Sequence, residues 1–287
     1  MSSALAPFVK LQHTGSALGA VVVDLDVGSP LAAEQVLALK RGLLDHHILI
    51  FKKQDLSEQQ FKAFAAYFGT VFLPPPDVPV LASKEGGATP DVVLVANVDG
   101  GYTGNGELSA HSDHHWAPQP SAGSLLYALE VPQVGGDTSF YNMNLAYETL
   151  DTDTKRRIES LRLITYNPFL WPKDGPRPKY RLEDQPLISP VYPHPLVRTH
   201  PDSGKRVLYL DAATEVEVVG LPKQEGNKLI EELRAHLEQE RFRYTHRWSV
   251  GDIVYWDNQA VLHARTAFPA DQRRVLKRIS IAGSRPF

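Results

Sequence analysis

Ser109-Ala110-His111-Ser112-Asp113-His114-His115-Trp116 decides how this chain of 287 residues is read. On a β-strand, residues two apart point to the same face, so the imidazole of His111 and the carboxylate of Asp113 can grip one ion from one side. That is two thirds of a facial metal triad. The pattern by itself is cheap. With 11 histidines in the chain, chance supplies roughly 0.7 such His-x-Asp pairs, and His200-Pro201-Asp202 is a second instance. A metal reading therefore needs a third ligand from elsewhere.

Bulk properties limit what that metal could serve. With 43% apolar and 22% charged residues, the chain can bury a large core as a single domain over residues 1–287. The net charge of -3 gives no cationic surplus to attract nucleic acid or an anionic membrane. There is no cysteine, so disulfides, thiolate metal sites and a thiol nucleophile are excluded, and any metal must take N and O ligands. Met1-Ser2-Ser3-Ala4-Leu5-Ala6-Pro7 lacks a basic stretch followed by an apolar one, and no run approaches membrane-spanning length. The expectation is a cytoplasmic homo-oligomer acting on a small molecule.

Around the opening stretch, strands are expected at Phe8 to Leu11, Ala20 to Val27, His46 to Phe51, Val92 to Ala96, Ser124 to Leu129 and Thr138 to Tyr141, from β-branched and apolar runs bounded by turn residues. Helices are expected at Ala32 to Asp45, after the Ser57-x-x-Gln60 capping box, after Asn144 as a cap, after Asp151 or Thr152, and at Lys223 to Gln239. Three loop insertions interrupt this order, near 73–87, 99–108 and 167–193. The second is Gly-rich and reads as a lid or a plain solvent loop; the third is Pro-rich and reads as a substrate cover or a surface excursion. The second His-x-Asp falls in Pro201-Asp202-Ser203-Gly204, a turn inside a hairpin, where the shared strand face is lost.

The last third offers the missing part. Asp252 to Asp257, Ala260 to Ala264 and Val275 to Ala282 read as strands, and His263 sits among Val261, Leu262 and Ala264, where a packed core histidine is the alternative to a ligand. Arg274 and Arg278 follow. Their even offset puts them on one strand face, either pairing with surface carboxylates or clamping anionic ligands.

The ordered set His111-Ser112-Asp113, Gly135-Gly136-Asp137-Thr138, His194-Pro195-Leu196-Val197-Arg198-Thr199-His200-Pro201, Trp256-Asp257-Asn258, His263, Arg274 and Arg278 resembles the Fe(II) and 2-oxoglutarate dependent dioxygenases of the taurine dioxygenase and 2,4-dichlorophenoxyacetate dioxygenase type. The likeness runs over nearly the whole chain. It implies a mainly β fold with flanking helices, a double-stranded β-helix (jelly-roll, cupin-like) with iron in its mouth. It also implies that His111, Asp113 and His263 bind Fe(II), that Thr138 and Arg274 hold the distal carboxylate of 2-oxoglutarate, and that Arg278 meets an anionic substrate. O2 would be consumed, with succinate and CO2 as co-products. Ser112 stands where the family often has Thr, and His114-His115-Trp116 depart from the common form.

Elementary chemistry agrees with the resemblance without forcing it. Two imidazoles and a carboxylate on one face of a metal leave three positions open, as in non-haem Fe(II) oxygenases, but the same donors suit a catalytic zinc. A zinc hydrolase or a non-catalytic jelly-roll binding protein stays open at this level. For a substrate, a small carboxylate or sulfonate suits Arg278. Loop position nominates Phe72, Leu73, Asn97, Tyr102, Phe169 and Trp171 as pocket residues, and strand alternation puts His115 on the metal side and His114 away from it.

Overall fold

The structure, a computed structural model, describes residues 9–74, 80–81, 90–170, 191–211 and 216–287. Its first strands are β1 (Lys10–His13) and β2 (Ala20–Val23), followed by helix α1 (Ala33–His46) and strand β3 (Ile48–Phe51). The helix ends one residue later than its apolar periodicity suggests, because His47 closes it in a left-handed conformation (φ 60°) and returns its N–H to the Leu43 carbonyl. Helix α2 (Glu58–Ala66) starts at the expected box: Ser57 Oγ accepts the Gln60 N–H, and the Gln60 side chain accepts the Ser57 N–H. Next come β4 (Val93–Ala96), β5 (Leu108–His111), β6 (Gly123–Glu130) and β7 (Thr138–Asn142).

Helix α3 (Met143–Glu148) is capped by Asn142, whose side chain accepts the Leu145 N–H at 2.9 Å. Asn144 is not that cap; its amide donates instead to the Arg206 carbonyl. The chain continues through α4 (Thr152–Ile158), capped by Asp151, then β8 (Arg162–Thr165), β9 (His194–Pro195), β10 (Val197–Thr199), β11 (Arg206–Leu208) and β12 (Val216–Val218). Helix α5 (Lys223–Leu237) precedes β13 (Arg243–His246), β14 (Ile253–Asp257), β15 (Val261–Arg265) and β16 (Val275–Ile281).

Two sheets make the sandwich. The larger has the order β1-β2-β3-β14-β6-β16-β4, and the smaller has β13-β7-β15-β5. Strand alternation assigns every central side chain to a layer. Ile48, Ile50, Leu126, Ala128, Val254 and Trp256 face the smaller sheet, meeting Phe140 and Val261. Leu49, Phe51, Leu125, Tyr127, Ile253 and Tyr255 face the other way, under Leu39 and Leu43 of α1 and Phe61 and Phe64 of α2. Strands buried on both faces read as continuous apolar runs, which is why Ile48-Leu49-Ile50-Phe51 shows no polar alternation. Each such side chain contributes roughly 1.5–3 kcal/mol by burial. A third cluster joins α3 and α5 to β10, β11 and β12 outside the smaller sheet. Among the described residues, no helix is long and apolar enough to cross a membrane.

Candidate active site

The open end of the sandwich is where β5 and β15 run antiparallel with His111 opposite His263. Their ring centroids lie 4.2 Å apart. Asp113 follows just past the end of β5, and one ligand atom from each of the three residues lies within 4.8 Å of the other two. The ring of His111 is set for a metal. Its Nδ1 bonds the Ser109 carbonyl at 2.8 Å, so that nitrogen is the N–H and Nε2 keeps a lone pair; Nε2 lies 4.0 Å from Asp113 Oδ1. His263 Nδ1 is buried without a hydrogen-bond partner, an arrangement that costs roughly 1–3 kcal/mol when nothing satisfies the atom.

Electrostatics bring His263 and Asp113 to the protonation states that metal binding requires. Burial, and then the neighbouring His111, push His263 down to about 3. Burial alone would raise the Asp113 carboxyl, but the Arg278 guanidinium, and after it His263, His114 and His111, hold it well below the usual carboxylate range. Two imidazoles and a carboxylate form a hard-to-borderline N/O donor set that fits Fe(II).

Asp113 is fixed through its backbone. Asn258, directly after β14, accepts the Asp113 N–H at 3.0 Å and donates to the Asp113 carbonyl at 2.8 Å and the Ser121 carbonyl at 3.0 Å. Its own carbonyl accepts the Ser112 hydroxyl at 3.1 Å. The strand does not stay regular past this point, because β5 ends at His111 and His114 takes φ 62°. That turn reverses the expected facing. His114 lines the cavity and stacks on Phe72 at 4.0 Å, whereas His115 is turned into the core against Tyr209, bonded to the Thr165 hydroxyl at 2.7 Å.

A cavity of about 500 Å³ opens over the triad, and Thr138, Arg265, Arg274 and Arg278 all line it. Thr138 and Arg274 reach it from β7 and from the approach to β16. Gly135 and Gly136, both at positive φ, make that approach possible: a Cβ on Gly136 would stand 3.0 Å from Arg274 Cδ, and one on Gly135 would stand 2.2 Å from the Ala267 carbonyl oxygen. Arg274 Nε donates to the Gly136 carbonyl at 3.0 Å. Burial, and then the nearby Arg265, push its guanidinium down to about 9, the sign of a buried cation short of an anion. Thr138 Oγ1 accepts the indole N–H of Trp248 at 2.9 Å.

The other nominated residues divide. Tyr102 and Phe169 line the cavity, with Trp116, Leu126, Tyr166 and Trp256, which position in a loop did not single out. Asn97 does not line it: its carbonyl oxygen accepts the Arg274 N–H at 2.8 Å and its amide donates to the Gln272 carbonyl, so it staples the end of β4 to the approach to β16. Leu73 is exposed. Arg278 lines the cavity, but its Nη1 donates to both oxygens of Asp113, at 3.1 and 3.2 Å. The 99–108 loop is held down by Arg265, which donates to Thr103 Oγ1, to the Gly104 carbonyl at 2.8 Å and to the Gly106 carbonyl. Trp171, most of the expected Pro-rich cover and most of the 73–87 insertion lie outside the described residues.

Comparison with known proteins agrees with this geometry. Residues 8–280 match the model of the family described as taurine catabolism dioxygenase TauD, TfdA family. The chain is 33% identical over 270 residues to an alpha-ketoglutarate-dependent 2,4-dichlorophenoxyacetate dioxygenase of Cupriavidus pinatubonensis, covering 90% of this chain and 92% of that protein. It is 30% identical over 288 residues to an (S)-phenoxypropionate/alpha-ketoglutarate-dioxygenase of Sphingobium herbicidovorans, covering 97% and 96%. A crystal structure of a taurine dioxygenase from Burkholderia xenovorans superposes with a TM-score of 0.79 at 28% identity, over 98% of this chain and 91% of that one. With its jelly-roll sandwich and its His-Asp-His cluster, the chain belongs to the TauD, TfdA family of dioxygenases.

Proposed function

We propose that this protein is an Fe(II)- and 2-oxoglutarate-dependent dioxygenase that hydroxylates a C–H bond of a small anionic organic molecule, with succinate and CO2 as co-products. The observation that carries this reading is one chamber lined by the His111, Asp113 and His263 cluster together with Thr138 and the buried Arg274. His111, Asp113 and His263 would hold the iron, which would supply the oxidising chemistry with 2-oxoglutarate and O2. The chain does the rest. Thr138 and Arg274 hold the distal carboxylate, as a hydroxyl and a guanidinium at one end of the cavity suit a carboxylate. Leu126, Trp116 and Trp256 keep bulk water from the reacting end.

Charge supports an anionic substrate. The lining holds Arg265, Arg274 and Arg278 against Asp113 and the more exposed Glu107. Adding a divalent metal and a dianionic cosubstrate leaves that balance net positive, so a further anion is the guest that completes it. Tyr102, Trp116, Tyr166 and Phe169 offer aromatic surface, which suits an aryl or other apolar body on the substrate. The relatives named for phenoxyacetate and phenoxypropionate substrates support the same choice. Hydroxylation beside a heteroatom would then cleave such a substrate. The working form is a cytoplasmic homo-oligomer that uses neither nucleic acid nor membrane.

Anaerobic titration of the protein with Fe(II) and 2-oxoglutarate tests the reading. A weak visible charge-transfer band is expected, lost in Arg274→Ala at moderate cosubstrate, together with oxygen-dependent succinate release across a panel of small carboxylates and sulfonates. An intact protein giving neither band nor succinate would end the enzyme reading.

A further inference from the structure

The two arms of the anion clamp come from different strands, and one residue outside every motif touches both. Trp248 follows β13, whose His246 lies directly opposite Thr138 on β7. Its indole N–H reaches Thr138 Oγ1 at 2.9 Å, and the Arg274 guanidinium carbon stands 5.9 Å from its ring centroid, within reach of a cation–π contact. The ring is held in turn. His246 meets it edge-on at 4.7 Å, and His246 Nε2 bonds Asp252 Oδ2 at 3.0 Å. Lys52 and the Ser249 N–H fix the same carboxylate oxygen, at 2.7 and 3.0 Å.

We propose that Trp248 is a positioning residue for cosubstrate selection, acting by setting the direction of the Thr138 hydroxyl. An indole N–H can only donate, whereas a threonine hydroxyl can donate or accept. Once Oγ1 accepts from Trp248, its single proton must point elsewhere. No other side-chain hydrogen bond uses it among the described residues, and Thr138 lines the cavity. The hydroxyl is thereby preset as a donor toward an anion, beside a guanidinium that the same indole supports from its face. Preset donors lose less orientational freedom on binding than free rotors. A tryptophan serving only as packing would need neither the N–H contact nor its placement against Arg274.

The inference rests on the 2-oxoglutarate reading, and its test separates the two. Calorimetry on the full-length Mn(II)-loaded protein compares 2-oxoglutarate with pyruvate, which has the same keto acid end but no distal carboxylate. Trp248→Phe keeps a ring and removes the N–H. The expected result is a Kd for 2-oxoglutarate about tenfold higher, with the Kd for pyruvate changed less than about twofold. Thr138→Val should cost a similar factor, and adding Trp248→Phe to it should cost less than about twofold more. Trp248→Leu, which also lacks a donor, gives the same reading if phenylalanine is not accommodated: a loss confined to 2-oxoglutarate supports the role. An unchanged 2-oxoglutarate Kd, an equal loss for pyruvate, or full multiplication of the two substitutions overturns it. A wild-type protein that binds pyruvate and 2-oxoglutarate equally removes the clamp itself, and with it the cosubstrate reading.

Discussion

His111-Ser112-Asp113 and His200-Pro201-Asp202 have the same spacing, and the fold uses them in opposite ways. His111 ends a strand opposite His263, with Nδ1 spent on a backbone carbonyl and Nε2 left over. His200 sits in a hairpin turn with both nitrogens engaged. Its Nδ1 accepts the N–H groups of Asp202 and Ser203, each at 3.2 Å, and its Nε2 bonds Asp257 Oδ2 at 2.8 Å. The Asp202 side chain is turned to solvent. What distinguishes a candidate ligand is therefore the lone pair that local bonding leaves, and the company that lone pair meets, more than the interval between two letters.

The widest gap between the two stretches should appear on their aspartates. Asp113→Ala, like His111→Ala, removes one of the three proposed metal donors, and turnover with saturating iron should fall by about 1,000-fold or more, worth roughly 4 kcal/mol on the barrier. Asp202→Ala alters an exposed side chain, and its effect on stability should stay within about 0.5 kcal/mol with activity intact. Succinate release and urea unfolding on both variants check the pair. Comparable activity losses would show that the two stretches are not as different as their bonding implies.

His200→Ala probes the same contrast from the structural side. Burial would raise Asp257, but its bond to His200 holds it below the usual carboxylate range. Removing the partner leaves a buried carboxylate with only the Gln259 N–H, for a loss of roughly 3–5 kcal/mol in urea unfolding. The variant that still folds should bind iron as the native protein does, because no nitrogen of His200 faces the triad.

Asn258→Ala should act on the metal stretch alone. It deletes the amide that pairs with both backbone groups of Asp113, and groups that orient ligands typically account for about 10–100-fold in metal affinity. Fe(II) or Mn(II) affinity measured without cosubstrate checks this. A change in 2-oxoglutarate affinity alone would place Asn258 in a different role.

These contrasts show what could be read before folding. The layers of the sandwich were legible, since Ile48-Leu49-Ile50-Phe51 and Ile253-Val254-Tyr255-Trp256 announce doubly buried strands. The convergence of His111, Asp113 and His263 was legible because the three residues stand in a family order. The facing of His114 and His115 was not, because it depends on a positive φ at His114, a conformation that non-glycine residues adopt in only a few per cent of cases and that strand alternation leaves out. Asn97 looked like a pocket residue from its place near a loop, yet its amide is used by the Gln272 carbonyl on the approach to β16, 175 residues away. Arg265 and Trp248 gave no motif at all. Their importance is made by register, Arg265 opposite Thr138 on one side and His246 opposite Thr138 on the other.

His47 supplies the last and smallest test, and it qualifies the lesson of the two stretches. Its Nδ1 is buried with no hydrogen-bond partner among the described residues, so a spare ring nitrogen is not sufficient to make a ligand; no second and third donor converge on it. What that nitrogen does instead is make folding sensitive to acid. Burial pushes His47 down from 6.5 to about 4, with Asp257 opposing the shift. Between those values the unfolded chain holds the proton and the folded chain does not, so stability rises with pH across the window. The contribution is complete above about pH 6.5 and is lost as pH falls toward 4, at up to about 1.4 kcal/mol per pH unit. His47→Asn isolates the effect, since asparagine tolerates the left-handed φ of 60° at the end of α1 and cannot titrate. Urea midpoints from pH 7.5 to 4.5 should fall less steeply in the variant, by close to one proton's worth of slope. Parallel curves for the two proteins would mean that the buried nitrogen finds a proton or a partner in the folded state after all.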